Sequence, residues 1–152
     1  MLKVHRLIST VLGIGYTPKG GGTVAAIVCC IVWFCLGTGR NESFFIEIAA
    51  TGLIFAAGIY SSNKVEAAWG KDSSKVVIDE VAGMCLTLIA IPVNWQNVVT
   101  GLVLFRFFDI AKPLGVRKME KLNGGLGVMM DDMLAGLYSN IILHLIVMAK
   151  LW

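Results

Sequence analysis

Apolar residues along this chain gather into five stretches that short polar clusters separate, at 23–38, 44–60, 76–93, 97–110 and 132–152. Several are shorter than the ~20 residues that cross a bilayer comfortably, so the first and fourth are read as full spans, partial spans or buried helices. No long linker or repeat lies between them. We therefore predict an all-α fold, a polytopic membrane bundle of about four to five apolar helices formed by a single domain over residues 1–152.

Composition supports a membrane setting. Hydrophobic residues make up 57% of the chain, charged residues only 15%, and the mean hydropathy is +0.77, whereas soluble domains carry roughly 25% charged residues. The net charge of +3 is too small to indicate nucleic-acid binding. The four cysteines lie in apolar stretches without the spacing of a metal site, and we interpret them as small hydrophobic residues.

The basic residues predict an orientation. If the stretches cross the membrane alternately, the N-terminal segment and the loops at 61–75 and 111–131 share one side. Eleven of the thirteen lysines and arginines lie on that side, and only Arg40 and Lys150 lie on the other. The positive-inside rule makes the basic side cytoplasmic. Most acidic residues lie on or near the same side, so a reaction site should face the cytoplasm.

A glycine-rich segment, Gly20 to Thr23, leads into the first apolar stretch. Backbone N–H groups at such a helix start, together with the helix dipole, favour a phosphate group. We assign Lys19, Gly21, Gly22 and Thr23 as candidate substrate-binding residues. A flexible turn before a membrane helix explains the glycines equally well.

Two acidic pairs, Asp79–Glu80 and Asp131–Asp132, interrupt the apolar pattern, and a glycine follows each pair about one helical turn later. Carboxylates among apolar side chains are costly unless they are paired, protonated or bound to a cation. The alternative is a carboxylate at a helix start, stabilised by the helix dipole. Two acidic pairs at one depth would repel each other without a cation between them. Oxygen-only ligands suit a hard ion, so these four residues are candidate Mg²⁺ ligands.

The segment FRFFDIAKP, residues 105–113, brings charge to the end of the fourth stretch. Arg106 and Asp109 lie on one helical face, and Lys112 follows one turn later, before Pro113, where a helix usually ends. A structural pairing of Arg106 with Asp109 leaves Lys112 unexplained. Cations that bind anionic oxygens and carboxylates that hold a metal ion are the parts of a phosphoryl-transfer site.

Four motifs in fixed order, GxxPxxxGT from Gly15, DEVAG from Asp79, FRFFDIAKP from Phe105 and GGLGVMMDDMLAG from Gly124, resemble the phosphatidylglycerophosphatase A family over nearly the whole chain. The resemblance implies an all-helical, multi-pass enzyme of the bacterial inner membrane. It implies a Mg²⁺-dependent lipid phosphatase that converts phosphatidylglycerophosphate to phosphatidylglycerol and phosphate. The chain departs from the family at Gly21, where a proline is common.

From these motifs we expect the acidic pairs to bind one or two Mg²⁺ ions, and Arg106 and Lys112 to hold the phosphate oxygens. Asp109 would orient Arg106 or take part directly. The attacking group is either a water molecule or one of the aspartates, and the sequence favours neither. The expected catalytic residues are Asp79, Arg106, Asp109, Lys112, Asp131 and Asp132.

Two other classes fit the sequence less well. A CDP-alcohol phosphotransferase would need Asp-Gly and Ala-Arg pairs together with two further aspartates, and neither pairing follows Asp131 and Asp132 here. In a non-enzymatic scaffold or ion-conducting subunit the acids would pair with Arg106 and Lys112 or line an ion path, and a conducting path should place acids through the full depth of the bilayer. Here the acids gather at one face. Oligomeric state and acyl-chain preference are left open by the sequence.

Overall fold

The computed structural model describes residues 2–37, 44–71, 73–119 and 121–150. Within these ranges the chain forms seven α-helices, a short 3-10 turn and no β-strand. The helices are α1 (Leu2–Ser9), α2 (Gly21–Gly37), α3 (Phe44–Trp69), α4 (Ile78–Leu88), α5 (Trp95–Ala111), α6 (Val116–Met119) and α7 (Gly125–Met148). The prediction of an all-α fold is confirmed for the described part of the chain.

Helices α2 to α5 and α7 correspond to the five apolar stretches, but some boundaries differ from the prediction. α3 continues beyond residue 60 to Trp69, so most of the predicted loop at 61–75 is helical. Packing explains the extension, because Ser61, Ser62 and Val65 are buried and α3 lies against α1. Because this packed face of α3 is largely polar, its residues form no apolar run, and the sequence pattern did not predict that the helix continues.

The last helix begins earlier than the apolar pattern predicts. α7 starts at Gly125, whose N–H donates a hydrogen bond to Asn63 Oδ1 of α3 at 2.7 Å. This contact satisfies one of the N–H groups that have no partner inside the first helical turn. Asp131 and Asp132 consequently lie in the second turn of α7 rather than at its start.

Helix α4 is shorter than the apolar stretch that contains it. Its 11 residues give a length of roughly 16 Å, about half the thickness of a bilayer core. The helix stops before Pro92, a residue that disfavours helical backbone at the position preceding it, and Ala90 has a positive φ of 58°. α4 lies at the centre of the fold, in contact with α2, α3, α5 and α7.

Two of the described helices, α3 and α7, are long and apolar enough to cross a membrane, judged by length and composition alone. α2 is apolar but has only 17 residues. α3 leaves large side chains outside the fold, with Phe45 77% and Leu53 71% exposed. The predicted outer loop at 39–43, which contains Arg40, lies outside the described residues.

The core is built around the crossing of α4 and α7. Gly83 and Gly136 lie backbone to backbone there, since a Cβ atom at Gly136 would collide with the Gly83 carbonyl oxygen. Thr87 Oγ1 donates to the Gly83 oxygen at 2.9 Å. Asn140 Nδ2 donates to the carbonyl oxygens of Thr87 and Ile89, each at 3.0 Å. The two helices are therefore fixed both by close approach and by polar contacts.

Fully buried side chains from α4, α5 and α7, among them Met84, Phe105 and Leu143, fill the space around this crossing. Cys29 and Cys85 belong to the same core and are free thiols whose sulfur atoms lie 3.5 Å apart. This placement agrees with their interpretation as small hydrophobic residues.

Candidate active site

A polar cavity of about 290 Å³ lies where the starts of α2 and α4, the end of α5 and the first turns of α7 meet. Nine predicted site residues line it, contributed by four helices and the residue after α5: Gly21, Gly22, Asp79, Glu80, Arg106, Asp109, Lys112, Asp131 and Asp132. The two remaining predictions, Lys19 and Thr23, are not among its lining residues. Lys19 is exposed and Thr23 is half-buried.

Three carboxylates form the centre of the cavity. One oxygen each from Asp79, Glu80 and Asp132 lies within 4.8 Å of the other two. The glycine crossing explains this convergence, because Asp79 and Asp132 each precede a crossing glycine by one helical turn. Close backbone contact between α4 and α7 thus brings two acidic side chains from distant parts of the sequence together.

Two buried oxygens of these residues, Asp79 Oδ1 and Glu80 Oε2, accept no hydrogen bond from the described part of the chain. Buried carboxylate oxygens are costly without a partner. Asp132 is only 4% exposed, and Asp79 and Glu80 are half-buried. An oxygen-only donor set with unsatisfied atoms fits a hard divalent cation.

Asp109 adds a fourth carboxylate beside this cluster, close enough to interact directly with Asp132. Its Oδ2 pairs with Arg106 Nη1 at 2.6 Å, and both side chains are mostly buried. The predicted helical pairing of Arg106 with Asp109 therefore exists. The pair is also a wall of the cavity, so it faces the space where a ligand would lie.

Lys112 reaches the cavity from the C-cap of α5. Its backbone has a left-handed φ of 46°, and its N–H donates to the Phe108 oxygen at 2.9 Å. Helices commonly end on such a residue, and Pro113 prevents continuation. The Lys112 Nζ donates to Asp131 Oδ2 at 2.6 Å. Asp131 was predicted as a metal ligand, but the structure places it outside the group of three oxygens and against this lysine.

The glycine-rich segment forms the opposite wall. α2 begins at Gly21, and the Glu80 carboxylate lies so close to Gly22 that a Cβ atom there would collide with it. A side chain at position 22 would therefore displace the Glu80 carboxylate. The first turn of α2 places its helix dipole beside the carboxylate cluster, where it favours negative charge.

Sequence reasoning missed Thr17, Ser73 and Ser74, which also line the cavity. The two serines lie in the segment before α4, which the N-terminal region holds in place. Val77 N–H donates to the Ser9 oxygen at 2.9 Å, and Gly15 packs directly on the Lys75 backbone. Hydroxyl groups in a polar loop give no distinctive pattern, so only the fold reveals them.

The cavity carries an excess of negative charge. Five carboxylates and two cations line it, which is a formal excess of three negative charges when all are ionised. Carboxylates at this spacing cannot all be ionised in a shielded site unless a cation lies among them. The arrangement can therefore hold a divalent cation beside two cationic side chains.

A family model described as Phosphatidylglycerophosphatase A matches residues 7–147. A protein of Bacteroides thetaiotaomicron named "Putative phosphatidylinositol-3-phosphatase" is 44% identical over 90% of this chain and 89% of its own length. A Haemophilus influenzae protein named Phosphatidylglycerophosphatase A is 34% identical over 96% of this chain and 90% of its own length. An Escherichia coli protein of the same name is 32% identical over 92% of this chain and 81% of its own length. No solved structure matches the chain significantly.

Proposed function

Because the chain belongs to the phosphatidylglycerophosphatase A family, whose members are phosphoric monoester hydrolases, we propose that it hydrolyses the terminal phosphomonoester of phosphatidylglycerophosphate. The products are phosphatidylglycerol and inorganic phosphate. The observation that carries the proposal is the meeting of Asp79, Glu80 and Asp132 with Arg106 and Lys112 in one cavity. The relatives named Phosphatidylglycerophosphatase A extend over nearly the same length of chain.

We further propose that the enzyme depends on Mg²⁺. Asp79, Glu80 and Asp132 would hold the ion, because their oxygens converge and two of these oxygens accept no hydrogen bond from the described residues. When bound, Mg²⁺ supplies Lewis-acid polarisation of the phosphate and neutralises charge that develops on its oxygens.

The cationic side chains bind and orient the phosphate. Arg106 and Lys112 both line the cavity, and each is held in place by a carboxylate. Asp109 positions the Arg106 guanidinium and Asp131 positions the Lys112 ammonium group. Groups fixed before the reaction stabilise developing charge without reorganising, which is the largest source of catalysis in many enzymes.

We propose a multi-pass protein of the bacterial inner membrane whose site faces the cytoplasm. α3 and α7 have the length and composition of membrane spans, and α2, α4 and α5 complete the bundle between and beside them. Residues of the predicted basic side, among them Ser73 and Lys112, line the cavity. This agrees with a cytoplasmic end by the positive-inside rule, and a lipid head group at the membrane surface would reach it.

The name of the Bacteroides relative favours a second candidate substrate, phosphatidylinositol 3-phosphate. It too is a lipid phosphomonoester, and the same carboxylates and cations would act on it. The two substrates differ in the size of the head group, glycerol against an inositol ring. A direct comparison of the hydrolysis rates of the two lipids therefore identifies the preferred substrate.

The test is release of inorganic phosphate by the detergent-purified protein from each of the two lipids, with Mg²⁺ and with EDTA. We expect Mg²⁺-dependent release from phosphatidylglycerophosphate that exceeds release from phosphatidylinositol 3-phosphate. The opposite preference would move the assignment to the second substrate. No release from either lipid with Mg²⁺ or Mn²⁺, by protein that elutes as a single species, would overturn the proposal.

A further inference from the structure

An apolar groove of about 310 Å³ lies between α2 and α3, with α4 as its floor. α2 contributes Ala25 and Val32, α3 contributes Ala50 and Ile54, and α4 contributes Val81. Among the residues that the structure describes, the lining has one charged side chain, Glu47, which lies near its far end and accepts a hydrogen bond from the Ala90 N–H at 2.8 Å. The groove is therefore a hydrophobic channel along almost its full length.

The groove begins beside the polar cavity. Gly21 and Gly22 line the cavity and Ala25 lines the groove, so along α2 they are separated by one helical turn, roughly 5 Å. On α4 the two spaces are lined by consecutive residues, Glu80 on the cavity and Val81 on the groove, whose side chains point about 100° apart around the helix. A molecule with a phosphate in the cavity and an apolar chain in the groove would need only a short polar linker between them.

The length of the groove matches one leaflet of a bilayer. From Ala25 to Leu36 along α2 it runs roughly 17 Å, close to half of a hydrocarbon core of ~30 Å. It is open along its side, where Val32 of α2 is 50% exposed and Ala50 of α3 is exposed. A lipid chain could thus enter from the side without passing through the protein.

We propose that this groove binds one acyl chain of the lipid substrate and fixes the depth at which the phosphomonoester enters the cavity. The inference rests on the proposed function, since it assigns a binding subsite to the same lipid. Occupation of the groove contributes hydrophobic binding energy in proportion to the area buried. The enzyme should consequently discriminate among substrates by chain length.

The test compares Ala50→Trp, which fills the groove, with Ala49→Trp as a matched control. Ala49 is the preceding residue of α3, is exposed and is not among the residues that line the groove. Each protein is assayed with dioleoyl and with dihexanoyl phosphatidylglycerophosphate. We expect Ala50→Trp to lower kcat/KM for the dioleoyl lipid by about tenfold or more and to leave the dihexanoyl value within about twofold.

Ala49→Trp should leave both values unchanged, and Val32→Trp on the opposite wall should repeat the effect of Ala50→Trp. Activity on the short-chain lipid shows that each variant has folded. Equal effects of Ala50→Trp on both lipids, or no effect on either, would overturn the groove assignment while the phosphatase activity stands. Wild-type protein that hydrolyses neither lipid would instead overturn the proposed function, and the groove assignment with it.

Discussion

Gly83 of α4 and Gly136 of α7 lie against each other without an intervening side chain. The contact sets the distance between two helices whose carboxylates, one turn away, form the centre of the candidate site. Small residues at helix crossings permit such close approach in membrane bundles. The packing of α4 against α7 therefore determines the geometry of the candidate site.

Substitution of Gly136 by alanine should separate α4 from α7. The new methyl group would collide with the Gly83 carbonyl oxygen, and overpacking of this kind typically costs about 1–3 kcal/mol. We expect a lower melting temperature in detergent together with loss of phosphate release. Gly52→Ala on α3 is the matched control, because nothing lies within 4 Å of a Cβ atom there. Equal melting temperatures for Gly136→Ala and wild type would contradict the role of this contact.

Asp132→Asn should remove activity with little effect on folding. The amide keeps the shape of the side chain but removes a charge and a ligand oxygen from the three-carboxylate cluster. We expect kcat to fall by about 100-fold or more and the Mg²⁺ concentration for half-maximal activity to rise. Phosphate release over a Mg²⁺ titration measures both. Glu66→Gln, a carboxylate of α3 outside the polar cavity, serves as the control and should behave as wild type.

The pairing of Lys112 with Asp131 predicts that their substitutions are not additive. Asp131 holds the Lys112 ammonium group at 2.6 Å. In a protein that already carries Lys112→Ala, the substitution Asp131→Ala should therefore lower kcat/KM less than it does in the wild-type protein. We expect a coupling of roughly 1–3 kcal/mol in kcat/KM across the four proteins of the cycle. Strictly additive effects would contradict a positioning role. If Asp131 binds the metal instead, its substitution should mainly raise the Mg²⁺ requirement.

Gly22→Ala should disturb the site through Glu80. A methyl group at this position would displace the Glu80 carboxylate, whereas at Gly21 it would meet its neighbours only at ordinary contact distances of 3.5 Å and beyond. We expect Gly22→Ala to lower activity by about tenfold and weaken the Mg²⁺ response, with a smaller effect from Gly21→Ala. The Mg²⁺ titration of both variants distinguishes them, and identical behaviour would argue against the packing role of Gly22.

The sequence allowed prediction of the helical class and of the residues that meet in the cavity, because charge among apolar residues is costly and therefore informative. It did not allow prediction of which residues pair. The Lys112 to Asp131 contact joins residues 19 positions apart and depends on how α5 ends. Nor did the pattern predict the start of α7, which depends on Asn63 from another helix. Long-range contacts of this kind have no local signature.

The short central helix also has a consequence for the order of assembly. α4 ends at Leu88, and its partner α7 begins only at Gly125, so ribosomes need roughly 2–7 seconds to make the residues between them. During that interval the acidic start of α4 lacks the helix that encloses it. The candidate three-carboxylate cluster is therefore complete only after the C-terminal region has been made, and it is among the last features of the molecule to form.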